Sequence, residues 1–200
     1  MDNFKLIAIT PETTFAQEVD YITHILDAGF NYVHIRKPGM NEEQVGELIE
    51  SIPTQYYERL KLNDYFPLAV KYGLAGVHLN HRNPTGPGGF GGFGGKVSKS
   101  CHSVGELRNT DAFEYVFLSP VFDSISKKGY HANFTEDTLT GSVGSKVIAL
   151  GGVTAERLPQ VKAMGFGGAA FLGYLFNSSN LDELDAKLDL IKKQIICYNL

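Results

Sequence analysis

Three times in this chain a glycine closes a helical pattern and a short apolar run follows it: Gly29-Phe-Asn-Tyr-Val-His-Ile35, Gly73-Leu-Ala-Gly-Val-His-Leu79 and Gly165-Phe-Gly-Gly-Ala-Ala-Phe171. Glycine ends helices because it enters the left-handed conformation at no steric cost. Apolar runs this short, bounded by turn residues, read as buried strands. A repeated helix-to-strand unit implies parallel β-structure with crossover helices. Further units fit between the three, giving strands near positions 5, 33, 61, 77, 98, 116, 148 and 170. Eight such alternations in 200 residues predict one (β/α)8 TIM-barrel domain over 1–200, rather than an open doubly wound sheet.

The helices carry their own punctuation. Thr14 with Gln17 reads as a capping box, followed by Phe15, Val19, Ile22 and Leu26 on one face. Asn41 caps a helix whose Glu42 and Glu43 suit its positive end, with Val45, Leu48, Ile49 and Ile52 as the buried stripe. A short helix is expected from Asp64 to Tyr72, another after Ser103, and a last one after Asn180 with Leu184, Leu188, Ile191 and Ile195 inward. One unit departs from the pattern. Pro84 to Gly95 is too rich in glycine to hold a helix, at about 1 kcal/mol per residue relative to alanine. A loop therefore replaces the fourth helix, either as a plain connection or as a lid over the mouth.

Composition excludes several classes of partner. The net charge of −4 is spread along the chain without a basic stripe, which argues against nucleic acid. No apolar run approaches the roughly 20 residues that span a bilayer, and no secretion signal is evident. Cys101 and Cys197 fit neither a disulfide framework nor a zinc spacing, so a reduced cytoplasm is the expected compartment. A homo-oligomer stays open.

Polar residues concentrate where strands should end. In the second strand Val33 and Ile35 alternate with Tyr32, His34 and Arg36, so His34 and Arg36 point into the barrel with Arg36 at its carboxyl end. A cation there needs a neighbouring carboxylate or an anionic ligand. Asn63 and Asp64 follow the third strand; Asp64 either caps the next helix or holds Mg2+. His78 and Asn80 face inward from the fourth strand, and Ser100 and His102 end the fifth. After the sixth, Ser124, Ser126 and Lys127 form either a solvated loop or a phosphate grip. The paired glycines Gly151-Gly152, with Gly173 after the last strand, read either as an ordinary turn or as the anion site that phosphate-binding barrels build at this place.

At these residues the sequence resembles the thiamine phosphate synthase and thiazole tautomerase superfamily, from Leu6 to about Phe176. The resemblance rests on Tyr32-Val-His-Ile-Arg-Lys37, Leu62-Asn-Asp64, Gly76-Val-His-Leu79, Ser100-Cys-His102, Ser119 to Lys128, Ala149-Leu-Gly-Gly-Val153 and Gly168 to Gly173. It implies a transferase that joins a hydroxymethylpyrimidine diphosphate to a thiazole phosphate, giving thiamine phosphate and diphosphate. Carried over, Arg36, Asn63, Ser100 and Lys127 hold the diphosphate, and Asp64 binds Mg2+. Ser124, Ser126, Gly152 and the backbone at Leu172 and Gly173 hold the thiazole phosphate. Departures accompany the resemblance. His34 stands where the synthase has glutamine, as in the tautomerase branch, and Pro38 stands where it has lysine, leaving Lys37 as the adjacent cation. The second magnesium acid is missing from His78-Leu-Asn-His-Arg-Asn83. The catalytic histidine of tautomerases would fall at Pro120. Alternatives to the synthase are a tautomerase using His34 or His102 for proton transfer, and a non-catalytic barrel that binds a phosphometabolite.

Overall fold

A computed structural model describes residues 4–86, 94–123, 134, 139 and 141–199. Among these residues, eight parallel strands close into a barrel in sequence order: β1 (Lys5–Ile9), β2 (Tyr32–Ile35), β3 (Leu60–Leu62), β4 (Gly76–Leu79), β5 (Lys96–Cys101), β6 (Tyr115–Leu118), β7 (Val147–Ala149) and β8 (Gly168–Phe171). β8 pairs back onto β1, with Leu6 opposite Ala169, so no strand edge is left open. The helices are α1 (Glu18–Asp27), α2 (Glu42–Ser51), α3 (Phe66–Lys71), α4 (Leu158–Ala163), α5 (Gly173–Phe176) and α6 (Leu181–Tyr198). Gly29, Gly73 and Gly165, the glycines of the repeated phrase, have φ of 97°, 64° and 91°. Each ends its helix as the sequence predicts.

Strand alternation sorts the side chains into two cores. Outward residues such as Ala8, Val33, Ile35, Leu62, Val77 and Leu118 are buried beneath the helices. Inside the barrel, Ile7, Ile9, Tyr32, Tyr115, Phe117, Ile148 and Ala170 pack together. That inner cluster lies mainly on β1, β6, β7 and β8. On β2 to β5, apart from Tyr32, buried inward positions include the polar His34, Lys61, His78 and Ser98. The interior is therefore apolar on one side and polar on the other.

Local expectations hold where a side chain and the backbone decide alone. Asn41 forms a capping box with Gln44, and Asn180 accepts from the Glu183 N–H. Ser103 accepts from the Glu106 N–H, although the segment it opens is a 3-10 turn, Val104–Leu107. Two expected caps are not made. α1 begins at Glu18 after Gln17, with no side-chain cap, because residues 11–13 are folded around the Lys37 ammonium instead. Asp64 does not cap α3, whose N-cap is Tyr65 in the left-handed conformation. In the β4–β5 connection, residues 80–86 and 94–95 contain no helix. The centre of the expected glycine loop, 87–93, lies outside the described residues.

Candidate active site

The carboxyl ends of the strands form a mouth whose most detailed part lies over β2, β3 and β4. Arg36, one residue past β2, points there as the alternation requires. Its Nη1 lies 2.8 Å from Glu12 Oε1, and its N–H donates to Thr10 Oγ1 at 3.0 Å. The Arg36 side chain is 23% exposed and Glu12 51%, so the pair is open to exchange with a ligand. Exposed pairs of this kind contribute at most about 1 kcal/mol.

Asn63 is one residue past β3, next to Arg36 by strand register, and is fixed from below. His34 Nδ1 is 3.1 Å from Asn63 Oδ1, and His34 Nε2 is 2.6 Å from the Tyr115 hydroxyl. Burial, then the neighbouring His78 and Lys61, hold the His34 pKa well below its usual value. The ring is therefore neutral. An amide oxygen only accepts, so the proton must be on Nδ1, and Nε2 accepts from Tyr115. This tautomer pins the Asn63 oxygen downward and leaves its NH2 for the mouth. On sequence His34 is a candidate catalytic residue, the proton-transfer group of the tautomerase alternative. With both nitrogens engaged and no solvent exposure, it is a positioning residue under Asn63. The alternation that turns residue 34 inward was legible; its depth below the rim was set by barrel register.

His78 repeats the arrangement one strand on. Its Nδ1 is 2.9 Å from Ser98 Oγ and its Nε2 2.8 Å from Ser100 Oγ. Burial lowers its pKa to about 3, with Lys61 adding to the effect. Ser100 is thus held at the end of β5 by a neutral histidine.

Lys37 does not join the site. It follows Val33 and Ile35 on the helix-facing side, where its ammonium lies 2.5 Å from Glu18 Oε1 on α1. It also donates to the carbonyls of Pro11 at 2.8 Å and Thr13 at 3.1 Å. Both side chains of the pair are sealed from solvent, so Lys37 anchors α1 and its leading loop rather than binding a substrate.

Asp64 is also engaged. Arg82 Nη2 contacts its Oδ1 and Oδ2 at 3.1 and 3.3 Å, Arg82 Nε its Oδ1 at 3.3 Å, and Asn83 Nδ2 the same oxygen at 2.9 Å. The turn that presents these donors is itself held: Asn80 Oδ1 accepts from the N–H of Arg82 and of Asn83, and Asn80 Nδ2 donates to the Asn63 carbonyl at 2.7 Å. A magnesium ion needs open oxygen ligands, usually one or two carboxylates. Here the Asp64 carboxylate is covered by a guanidinium, and no cluster of three acidic, histidine or cysteine ligands exists among the described residues. This donor set does not fit the magnesium that the resemblance implies. The missing acid is visible in the sequence; that Arg82 lies on Asp64 depends on the Asn80 turn, which no local pattern announces.

The opposite rim is built from glycine. Gly151 and Gly152 have φ of 95° and 64°. A Cβ on Gly152 would lie 2.2 Å from the Asp123 carbonyl oxygen, so only glycine fits there. Leu172 precedes α5, which starts at Gly173, on the neighbouring strand. Ser124, Ser126 and Lys127 lie outside the described residues.

A closed parallel barrel of eight strands with helices between them defines a TIM-barrel protein, and the candidate site lies at the end where such barrels carry theirs. The chain belongs to the thiamine monophosphate synthase family, whose sequence profile matches residues 6–175. It is 27% identical over 179 residues to the thiamine-phosphate synthase of Photorhabdus laumondii, covering 84% of this chain and 83% of that one. The crystal structure of thiamine phosphate pyrophosphorylase from Bacteroides thetaiotaomicron superposes with a TM-score of 0.84 at 33% identity, over 96% of this chain and 98% of that one. A thiamine phosphate pyrophosphorylase from Pyrococcus furiosus, at 16% identity and a TM-score of 0.75, shares the fold.

Proposed function

We propose that this chain is a thiamine-phosphate synthase, a transferase acting on a small pyrimidine diphosphate and a thiazole phosphate. Its family membership supports the reaction. The observation that supports it in this chain is that strand order places Arg36, Asn63 and Ser100 at the carboxyl ends of β2, β3 and β5, the last two held by His34 and His78, with the Gly151-Gly152 turn across the barrel. In the reaction the bond from the pyrimidine methylene carbon to diphosphate oxygen breaks, and the thiazole nitrogen lone pair forms the new C–N bond. Diphosphate leaves with the electron pair, and no proton changes hands.

Such a dissociative step is accelerated by donors aimed at the departing charge. Arg36 supplies a cation, freed from Glu12 as the diphosphate takes its place. Asn63 offers N–H groups whose direction is set by His34, and Ser100 a hydroxyl set by His78. Lys127 is assigned to the same diphosphate, and Ser124 and Ser126 with the glycine turn and the backbone at Leu172 and Gly173 to the thiazole phosphate. These follow from the family resemblance. The apolar inner cluster beneath the mouth keeps water from the carbocation. A tautomerase would need a histidine that exchanges protons with a ligand; the sealed His34 does not provide one, which leaves that alternative the exposed His102, whose Nδ1 lies 3.3 Å from the Ser119 hydroxyl. No helix of the described residues is long and apolar enough to cross a membrane.

The test is a coupled assay for diphosphate release with both substrates present, read beside thiamine phosphate formation. Stoichiometric release of both supports the assignment. Release of neither, with isomerisation of a thiazole carboxylate phosphate instead, overturns it.

A further inference from the structure

We propose that Arg82 occupies the position of a divalent cation in this site, and that the guanidinium, held by Asp64, binds the diphosphate directly. The inference rests on the synthase reading above, which makes diphosphate the leaving group.

Three observations carry it. Asp64 is the residue to which the resemblance gives a magnesium ion, and Arg82 covers both of its oxygens, with no cluster of three metal ligands among the described residues. The guanidinium is oriented before any ligand arrives. Its backbone N–H is held by Asn80 Oδ1 at 3.0 Å, and Asn80 and Asn83 exchange backbone hydrogen bonds at 3.1 Å in both directions. Finally, the cation borders open space. A cavity of 520 Å³ is lined by Pro38, Asp64, Tyr65, Arg82, Asn83 and Thr85, among others; Arg36, Asn63 and Ser100 are not in its wall, and it reaches their rim through Asp64, next in the chain to Asn63. That volume accommodates a small ligand.

The donor count leaves room for an anion. A guanidinium has five N–H donors in a fixed plane. Arg82 uses Nε and Nη2 on Asp64, while Nη1 has no hydrogen-bond partner among the described residues. Its outer edge is therefore available for the bidentate geometry that arginine offers phosphoryl oxygens. The Arg82 side chain is 43% exposed, so its bond to Asp64 is weak enough to adjust as a ligand enters. Asp64, which a magnesium mechanism would use as a ligand, becomes the residue that aims Arg82. Pro38, in place of a second cation after β2, lines the same cavity and makes the demand for Arg82 greater.

The experiment titrates inorganic diphosphate into the full chain by calorimetry, in EDTA and in Mg2+, and measures Mn2+ binding by electron paramagnetic resonance. The expected result is diphosphate binding in EDTA within about threefold of that in Mg2+, weakened about tenfold or more in Arg82→Ala and less in Arg82→Lys. Mn2+ alone stays free in solution at stoichiometric protein. Should Arg82→Ala fail to fold, the Mn2+ and EDTA measurements on the unaltered chain decide the matter. Diphosphate binding only with the metal, or stoichiometric Mn2+ uptake lost in Asp64→Asn, would overturn the proposal and leave the synthase reading standing. An Arg82→Ala chain that binds diphosphate unchanged would do the same. Diphosphate bound under neither condition would overturn both.

Discussion

Ion pairs stand at both ends of the barrel, and they differ in kind. At the amino-terminal end, Lys61 is sealed inside and lies 2.6 Å from Glu114 Oε2, with its ammonium over the rings of Tyr32 and Tyr115. Tyr32 donates to Glu114 Oε1 at 2.7 Å and Lys96 donates to Tyr32, so the cluster is tied on every side. At the carboxyl-terminal end, the Arg36–Glu12 and Arg82–Asp64 pairs stay partly exposed. A charge sealed from water depends on its partner, because nothing else solvates it. A charge at a wet rim can exchange its carboxylate for a phosphoryl oxygen. The base cluster thus bears on stability and the mouth on binding.

Breaking that contrast should produce effects of very different size. Glu114→Gln leaves the Lys61 ammonium buried without a counter-charge and should cost about 3–5 kcal/mol in unfolding free energy by urea titration. A loss below about 1 kcal/mol would show that the base pair is not what closes this end. Arg36→Ala, at the mouth, should lower synthase turnover by about a hundredfold, equivalent to about 2.7 kcal/mol of transition-state stabilisation. Its unfolding free energy should move by less than about 1 kcal/mol. Equal losses in both measurements would erase the distinction between the two ends.

The base cluster also has a pH signature. Burial lowers the Lys61 pKa to about 8, although Glu114 opposes the shift. Burial also acts to raise the Glu114 pKa, but Lys61 and Tyr32 outweigh it and the net direction is down. Between about 8 and the unfolded lysine value near 10.4 the unfolded chain binds more protons at Lys61, so this residue's contribution to stability rises with pH across that window. The difference in unfolding free energy between the unaltered chain and Lys61→Met should therefore grow from pH 8 to 10. A flat difference would contradict a depressed Lys61. The smallest effect belongs to the rim: Glu12→Gln frees Arg36, should change stability by no more than about 0.5 kcal/mol, and should tighten phosphate binding a few-fold. Weaker binding in that variant would mean Glu12 helps orient Arg36 instead of competing for it.

Much of the fold was legible because it is written in short periods. The repeated glycine-to-strand phrase, the caps at Asn41 and Asn180, and the inward turn of His34 and Arg36 each depend on a few adjacent residues. The site was legible as far as it follows strand alternation, which brings Arg36, Asn63 and Ser100 to one rim. The errors came where distant segments compete for one group. Thr14 reads as a cap, yet the carbonyls around it serve Lys37. Lys37 reads as a substrate ligand beside Arg36, yet Glu18 claims it from the next helix. Asp64 reads as a cap or a metal ligand, yet a turn after β4 carries Arg82 onto it.

By itself the sequence determined the order of strands and helices, their inward and outward faces, and which residues could reach the mouth, since these follow from periodicity and the conformational range of glycine. The tertiary structure alone decided how each charge is partnered. Pairing depends on which side chains from separate segments arrive within about 3 Å of one another, and that distance is fixed only when the barrel closes.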